Sequence, residues 1–175
     1  MRRSRSSYNF VGQRPRGGTS RGSSMLLRVS ARCIIVNKGL ILVQLSKHGD
    51  FYRLPGGRVR PEETILQGLQ RELREELGLE ELGDTKLLYI VDSFYRRRNG
   101  IVHEIGFYFL CNPANKDKLH PKEEHLRITW LPLGELTPEN FRPSTLAGYL
   151  KKLADVENPF QVDTVYLVNI DVGEE

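Results

Sequence analysis

The sequence predicts an α/β fold, a mixed β-sheet flanked by helices, and three observations point to it. Runs rich in β-branched and aromatic residues recur between residues 27 and 170, each short enough to be a strand. Two segments among them carry apolar residues at three- and four-residue steps, the mark of an amphipathic helix. Some strands are joined by tight turn signals and others by helix-length segments, and this interleaving builds layered α/β domains.

In chain order, residues 27–36 and 40–45 are β-rich, and Asn37-Lys38-Gly39 between them is a hairpin turn. Residues 51–54 form a short strand that runs into Leu54-Pro55-Gly56-Gly57, where the glycines permit positive φ and close approach of backbone to a ligand. Thr64 is the N-cap of the first helix, and Gln67 three residues on completes a capping box. Ile65, Leu66, Leu69, Leu73 and Leu77 make one apolar stripe, and Gly78 supplies the left-handed stop, so the helix covers residues 65–77. Residues 86–96 and 101–111 are strands split by Arg97-Arg98-Asn99-Gly100, whose Asn-Gly is a strong hairpin signal. Residues 128–131 are another strand. Residues 144–153 are a second amphipathic helix starting near Pro143 or Ser144, and residues 165–170 are a last strand or an extended tail.

With 175 residues and 39% hydrophobic composition, the chain can fill one core and not two. No apolar run is long enough for a transmembrane helix, so no membrane role is expected. Cys33 and Cys111 lie in apolar runs far apart; they read as buried free thiols of a reduced, cytoplasmic protein and are too few for a zinc site. Residues 1–24 stand apart, with six arginines and no acid. That stretch carries +6 and leaves −2 on the remainder, residues 25–175, which form the folded domain. Such a composition cannot bury enough apolar surface to fold. Four explanations stay open: an expression or start-site artefact with Met25 as the natural start, an arm that binds nucleic acid nonspecifically, an organelle transit peptide, or a plain solvated tail. The first and last are preferred.

The first helix breaks a local rule. Glu72, Glu75 and Glu76 are spaced i, i+3, i+4 and share one face. Like charges at that spacing destabilise a helix by about 0.2–0.5 kcal/mol per pair. They also lie in its C-terminal half, where the macrodipole prefers cations, at a further cost of about 0.3–1 kcal/mol each. Local violations are where function is expected. Hard divalent cations take oxygen ligands, and Mg²⁺ uses one or two carboxylates together with substrate phosphates. The spacing alone implies only such a hard-cation site.

The skeleton Gly57, Glu63, Arg71, Glu72, Leu73, Glu75, Glu76, Gly78, Leu79 resembles the signature of the Nudix hydrolases over all 23 positions of residues 57–79, and a looser likeness extends over about residues 27–153. The resemblance implies an α/β/α sandwich and a pyrophosphohydrolase that cleaves a nucleoside diphosphate linked to another moiety by water attack, using Mg²⁺ or Mn²⁺. A nucleoside triphosphate or dinucleoside polyphosphate leads among such substrates. It implies Glu72, Glu75 and Glu76 as metal ligands, with the Gly56 carbonyl as a further one, and Glu63 and Arg71 as an orienting pair. A further acid is expected from the loop at residues 121–125, where Glu124 is preferred over Glu123. The general base stays open between that loop and a glutamate of the helix. The competing interpretation is a non-catalytic nucleotide-sensing or RNA-interacting module that uses the same cleft and the basic arm.

For substrate contacts, Tyr95 lies where some relatives that cleave diadenosine polyphosphates carry a tyrosine. Ser93, Phe94 and Tyr95 stand where the ADP-ribose class expects a proline, and the longer motif that marks NADH hydrolases is absent. Arg96, Arg97 and Arg98 could clamp distal phosphates. Strand alternation sends His103 and Ile105 to one face and Glu104 and Gly106 to the other, and one of the polar pair is expected in the cleft. Arg53, Arg58 and Phe51 flank the helix for a phosphate or a base. The expected contacts are thus Arg53, Arg58, Tyr95, Arg97 and His103. The expected partner is a small nucleotide, with nucleic acid only through the arm and a homodimer as an open alternative.

Overall fold

Alternation along the first strand sets the architecture. The computed structural model describes residues 26–97, 100–119 and 127–171. Its elements are β1 (Leu26–Ile34), β2 (Val36–Asn37), β3 (Leu40–Leu45), β4 (Tyr52–Arg53), β5 (Gly56–Arg58), α1 (Ile65–Leu77), β6 (Asp84–Arg97), β7 (Gly100–Asn112), β8 (Arg127–Pro132), α2 (Ser144–Lys151) and β9 (Val165–Asp171). β1 turns Ala31 and Cys33 to one face and Ile34 to the other, and all three are fully buried. A strand buried on both faces needs a layer on each side.

Those layers are the two helices. On one face, Leu69, Leu73 and Leu77 of α1 cover Ala31, Cys33 and Cys111. On the other, Leu146, Ala147 and Leu150 of α2 join Phe141 over Ile34, Leu88, Val91, Leu110 and Leu167. The sheet between them is mixed, in the order β5-β1-β7-β6-β9. β1–β7 and β6–β9 are parallel, whereas β1–β5 and β6–β7 are antiparallel. The expected mixed sheet flanked by helices is therefore present.

A second, antiparallel sheet accompanies it, which the local pattern did not show. β8 runs along one edge of β3, and β2 and β4 share the other. The strand expected over residues 27–36 is divided for this reason. The chain leaves the first sheet at Ile35, whose carbonyl accepts from Leu42 N–H at 3.0 Å, and Val36–Asn37 pairs with β3. The following turn has Lys38 at φ 50 and Gly39 at φ 78, the pair of positive values that a two-residue hairpin of matching twist demands. Gly56 and Gly57, read from sequence as the end of a turn, also open β5 (Gly56–Arg58) against β1. The second helix was expected to reach Leu153; it is α-helical to Lys151 and tightens into a 3-10 turn over Lys152–Asp155.

α1 has the predicted bounds and caps. Thr64 Oγ1 accepts from Gln67 N–H at 3.3 Å, Gln67 Oε1 accepts from Thr64 N–H at 2.8 Å, and Gly78 is left-handed at φ 66. Cys33 and Cys111 are free and buried, and burial pushes the Cys33 thiol up. Among the described residues no helix is long and apolar enough to cross a membrane. Residues 1–24, Arg98 and the loop holding Glu123 and Glu124 lie outside the described residues. Thr64→Ala removes the bond that the Thr64 hydroxyl accepts from Gln67 N–H and leaves the backbone half of the box; it is expected to lower stability by about 1 kcal/mol in urea titrations.

Candidate active site

α1 closes onto the glycine turn through its acids. Glu76 Oε2 accepts from the Gly56 N–H at 2.8 Å. Gly56 has φ +113, and a Cβ there would stand 2.4 Å from the Ala31 carbonyl oxygen, so only glycine fits. A Cβ on Gly57 would fall 2.3 Å from Glu72 Oε2; the Glu72 carboxylate uses the space the missing side chain leaves. Burial is the largest influence on Glu76 and raises its carboxyl, against the bond from Gly56 and the charge of Arg32.

Arg71 resolves the crowding of like charges. Its Nε donates to Glu63 Oε1 at 2.5 Å and its Nη2 to Glu63 Oε2 at 3.0 Å. Nη1 donates to Glu72 Oε1 at 2.7 Å and to Glu75 Oε2 at 3.3 Å, and Nη2 also reaches the Arg58 carbonyl at 2.9 Å. One guanidinium thus ties three of the helix-face and entry acids to the backbone that precedes them. Its bonds hold the Glu63 carboxyl down at about 2, and the same bonds raise Arg71.

Among the described residues no group of three or more His, Cys, Asp or Glu side chains converges into a ready metal cage. The donors present are nonetheless all oxygen. Glu72 and Glu76 flank one glycine turn, and Glu75 shares an Arg71 nitrogen with Glu72. That set fits a hard cation that keeps waters and recruits phosphate oxygens, rather than one enclosed by protein. The Gly56 carbonyl is engaged here by Arg32 Nη1, which also donates to the Leu54 carbonyl at 3.1 Å.

Arg32 belongs at once to this turn and to a cavity of about 420 Å³. The cavity floor is one face of the five-stranded sheet: Arg28 and Arg32 on β1, Glu104 and Tyr108 opposite them on β7, Ser93 and Tyr95 on β6, and Asn169 and Asp171 on β9. Phe51, Arg53, Leu54, Arg96, Arg97, Arg142 and Pro143 complete the wall, so six guanidinium groups face two carboxylates. Arg53 is oriented by Gln44, 1% exposed, whose Oε1 accepts from Arg53 Nε at 2.9 Å. Burial and then the neighbouring Arg32 lower the Arg53 guanidinium, while Glu76 and Glu104 oppose them. At the opposite end Asn169, 1% exposed, accepts from Ser144 Oγ and from the Thr145 N–H, and donates to Asp171. Arg142 stacks on the Phe51 ring at 5.5 Å.

Of the substrate contacts expected from sequence, Arg53, Tyr95 and Arg97 meet at this cavity. His103 and Arg58 do not line it. His103 lies on the other sheet face, bonded to Asp92 at 2.5 Å and stacked on Phe94 at 4.3 Å; alternation gives the cavity position to Glu104. Arg58 is exposed and offers Arg71 only its carbonyl. Arg28, Arg32, Gln44, Asn169 and Arg142 were not anticipated. The polar alternation Arg28-Ser30-Arg32 within an apolar strand was a usable signal for the first two.

The NUDIX domain family matches residues 26–152, and the chain belongs to that family. The 8-oxo-dGTP diphosphatase of Buchnera aphidicola is 30% identical over 112 residues, covering 62% of this chain and 79% of that protein. The human 8-oxo-dGDP phosphatase NUDT18 is 35% identical over 99 residues, covering 53% of this chain, which spans only 28% of that relative's length. Among solved structures, the MutT NUDIX hydrolase of Burkholderia pseudomallei shares 27% identity and superimposes with a TM-score of 0.58 over 69% of this chain and 95% of that one. The general activity of such a chain is hydrolysis of a pyrophosphate linkage in a nucleotide-derived substrate.

The depressed Glu63 carboxyl has a consequence for stability. The contribution of its bonds to Arg71 is fully present above the ordinary value of 4.5 and is lost as pH falls through about 2. Glu63→Gln is expected to flatten the acid limb of the melting curve in that window; thermal melts at a series of pH values, superimposable on those of the unaltered chain, would contradict it.

Proposed function

We propose that this protein is a Mg²⁺- or Mn²⁺-dependent hydrolase that cleaves a pyrophosphate bond in a nucleoside di- or triphosphate, or in a dinucleoside polyphosphate. The observation that carries the reading is the junction at Gly56. There the acid helix and an arginine-lined cavity share one turn, with Glu76 on its N–H and Arg32 on its carbonyl. Arg32 and Arg53 repel each other at this end, and a polyphosphate between them relieves that repulsion.

Glu72, Glu75 and Glu76, with the Gly56 carbonyl once Arg32 yields it, would hold the metal. The bound cation would screen phosphate charge from these carboxylates and lower the pKa of water. The protein's own contribution is positioning and charge. Arg32 and Arg53 bind phosphate oxygens, Gln44 fixes the direction of Arg53, and Arg71 with Glu63 keeps the helix acids in place. The proton of the attacking water goes to a carboxylate, either of α1 or Glu124. Phe51 and Arg142 form a flat wall for a base, and Asp171 offers acceptors to the N–H groups of a guanine edge. With the two curated relatives named for 8-oxo-guanine nucleotides, that nucleotide class is the first to assay.

The sensing interpretation draws on one observation, the engagement of the Gly56 carbonyl by Arg32. A panel of nucleoside triphosphates, oxidised guanine nucleotides, dinucleoside polyphosphates and ADP-ribose, incubated with Mg²⁺ and resolved by chromatography, separates the two. Turnover supports the enzyme, while tight binding without any product supports the sensor. Glu76→Gln is expected to lower kcat by at least about 100-fold, the scale on which removal of a preorganised electrostatic group acts, with the melting temperature preserved. Gln44→Leu is expected to raise KM about tenfold with a smaller change in kcat, since it frees a guanidinium that binds substrate. Wild-type rates in Glu76→Gln would refute the placement of the metal.

A further inference from the structure

The end of the cavity around Arg28 carries a charge imbalance that the Arg32–Arg53 end does not explain. Arg28 Nε is buried and has no hydrogen-bond partner; among the described residues it is the one buried side-chain nitrogen or oxygen in that state. Buried polar groups are almost always paired, and a cationic donor left alone is costly, so such a group points to a missing partner. Glu104 does not supply it. Its nearer oxygen is 3.9 Å from Arg28 Nη1, and its two oxygens already accept from Ser30 Oγ at 2.9 Å and Tyr95 Oη at 2.8 Å. A second cation adjoins this end, with Arg97 over the Tyr95 ring at 5.7 Å.

Arg28 and Arg32 share a face of β1 four residues apart, which sets their Cα atoms about 13 Å from each other. They also diverge. Arg32 turns to the Leu54 and Gly56 carbonyls, whereas Arg28 turns to Glu104 on the neighbouring strand β7.

We propose that Arg28 and Arg97 form a second anion subsite beside Tyr95, adjoining the Arg32–Arg53 end, which takes a phosphate group of the substrate remote from the bond that is cleaved. The proposal rests on the reading of the cavity as a polyphosphate site and narrows its substrate class. The preferred substrate carries a phosphate chain, or a second phosphate, long enough to touch both ends. Arg28 contributes a directional, partly desolvated donor, and Arg97 contributes an exposed charge at the mouth. Tyr95, its hydroxyl committed to Glu104, presents its ring as the wall between them.

Two hydrolysis-resistant probes test it: methylene-bridged diphosphate and methylene-bridged linear tetraphosphate, titrated calorimetrically into the full chain with Mg²⁺ present. The expected result is tetraphosphate binding at least about tenfold tighter than diphosphate, the increment of one charge-assisted contact pair. Arg28→Gln and Arg97→Gln should each remove most of that margin and leave diphosphate affinity within about twofold, whereas Arg53→Gln should weaken both probes. Arg97 is exposed, so its variant keeps the test decisive if loss of Arg28 disturbs Glu104 and the fold. A margin that survives in Arg97→Gln overturns the subsite, as does an equal loss for the two probes, which would mark diffuse charge. A wild-type chain that binds neither probe overturns the polyphosphate reading of the whole cavity along with it.

Discussion

The closure of α1 onto the Gly56–Gly57 turn organises the site. Three acids on one helix face would push apart and repel the helix's own C-terminal dipole. Two contacts reverse that tendency: the Gly56 N–H on Glu76, and Arg71 shared by Glu63, Glu72 and Glu75. Both need a backbone that comes closer than any side chain would allow, which is why φ +113 falls at Gly56 and why Glu72 uses the missing Cβ of Gly57. The leucines on the other side of the helix give this closure its footing, since Leu69 and Leu73 are fully buried against β1.

From that closure the cavity follows. β5 is held against β1 by the same glycines, which brings Arg32 beside the turn and sets the sheet face carrying Arg28, Glu104, Tyr95 and Asn169 under one roof. The net charge of the chain says little about this. Outside residues 1–24 the sequence carries −2, yet the cavity gathers six arginines against two carboxylates. A concave surface lined by one sign focuses the field, so the local distribution and not the total governs which ligand is drawn in. The helix acids and the cavity arginines are kept on opposite sides of a single turn.

Much of the local structure was legible. The α1 bounds, its capping box and its glycine stop follow from spacing, because helix ends are decided by groups within four residues of each other. The Asn37-Lys38-Gly39 turn was equally local. The cavity face of the sheet was legible only in part. Alternation said that His103 and Glu104 point opposite ways, but not which way was in; Glu104 was settled by Ser30 and by Tyr95 across the sheet. Gln44 gave no sign at all, since its one bond depends on β3 pairing with β4 so that it stands beside Arg53.

The acid helix, the glycine turn before it and the α/β layering are all readable along the chain, because each is written in periodicity, capping and backbone conformational preference over short spans. Long-range pairing alone makes Ile35 the point where the chain changes sheets, turns Gly56–Arg58 into a strand, and brings Arg28, Asn169 and Arg142 into a cavity with Arg53. The reason is physical: strand pairing joins residues tens of positions apart, and no local pattern carries the register that brings them together.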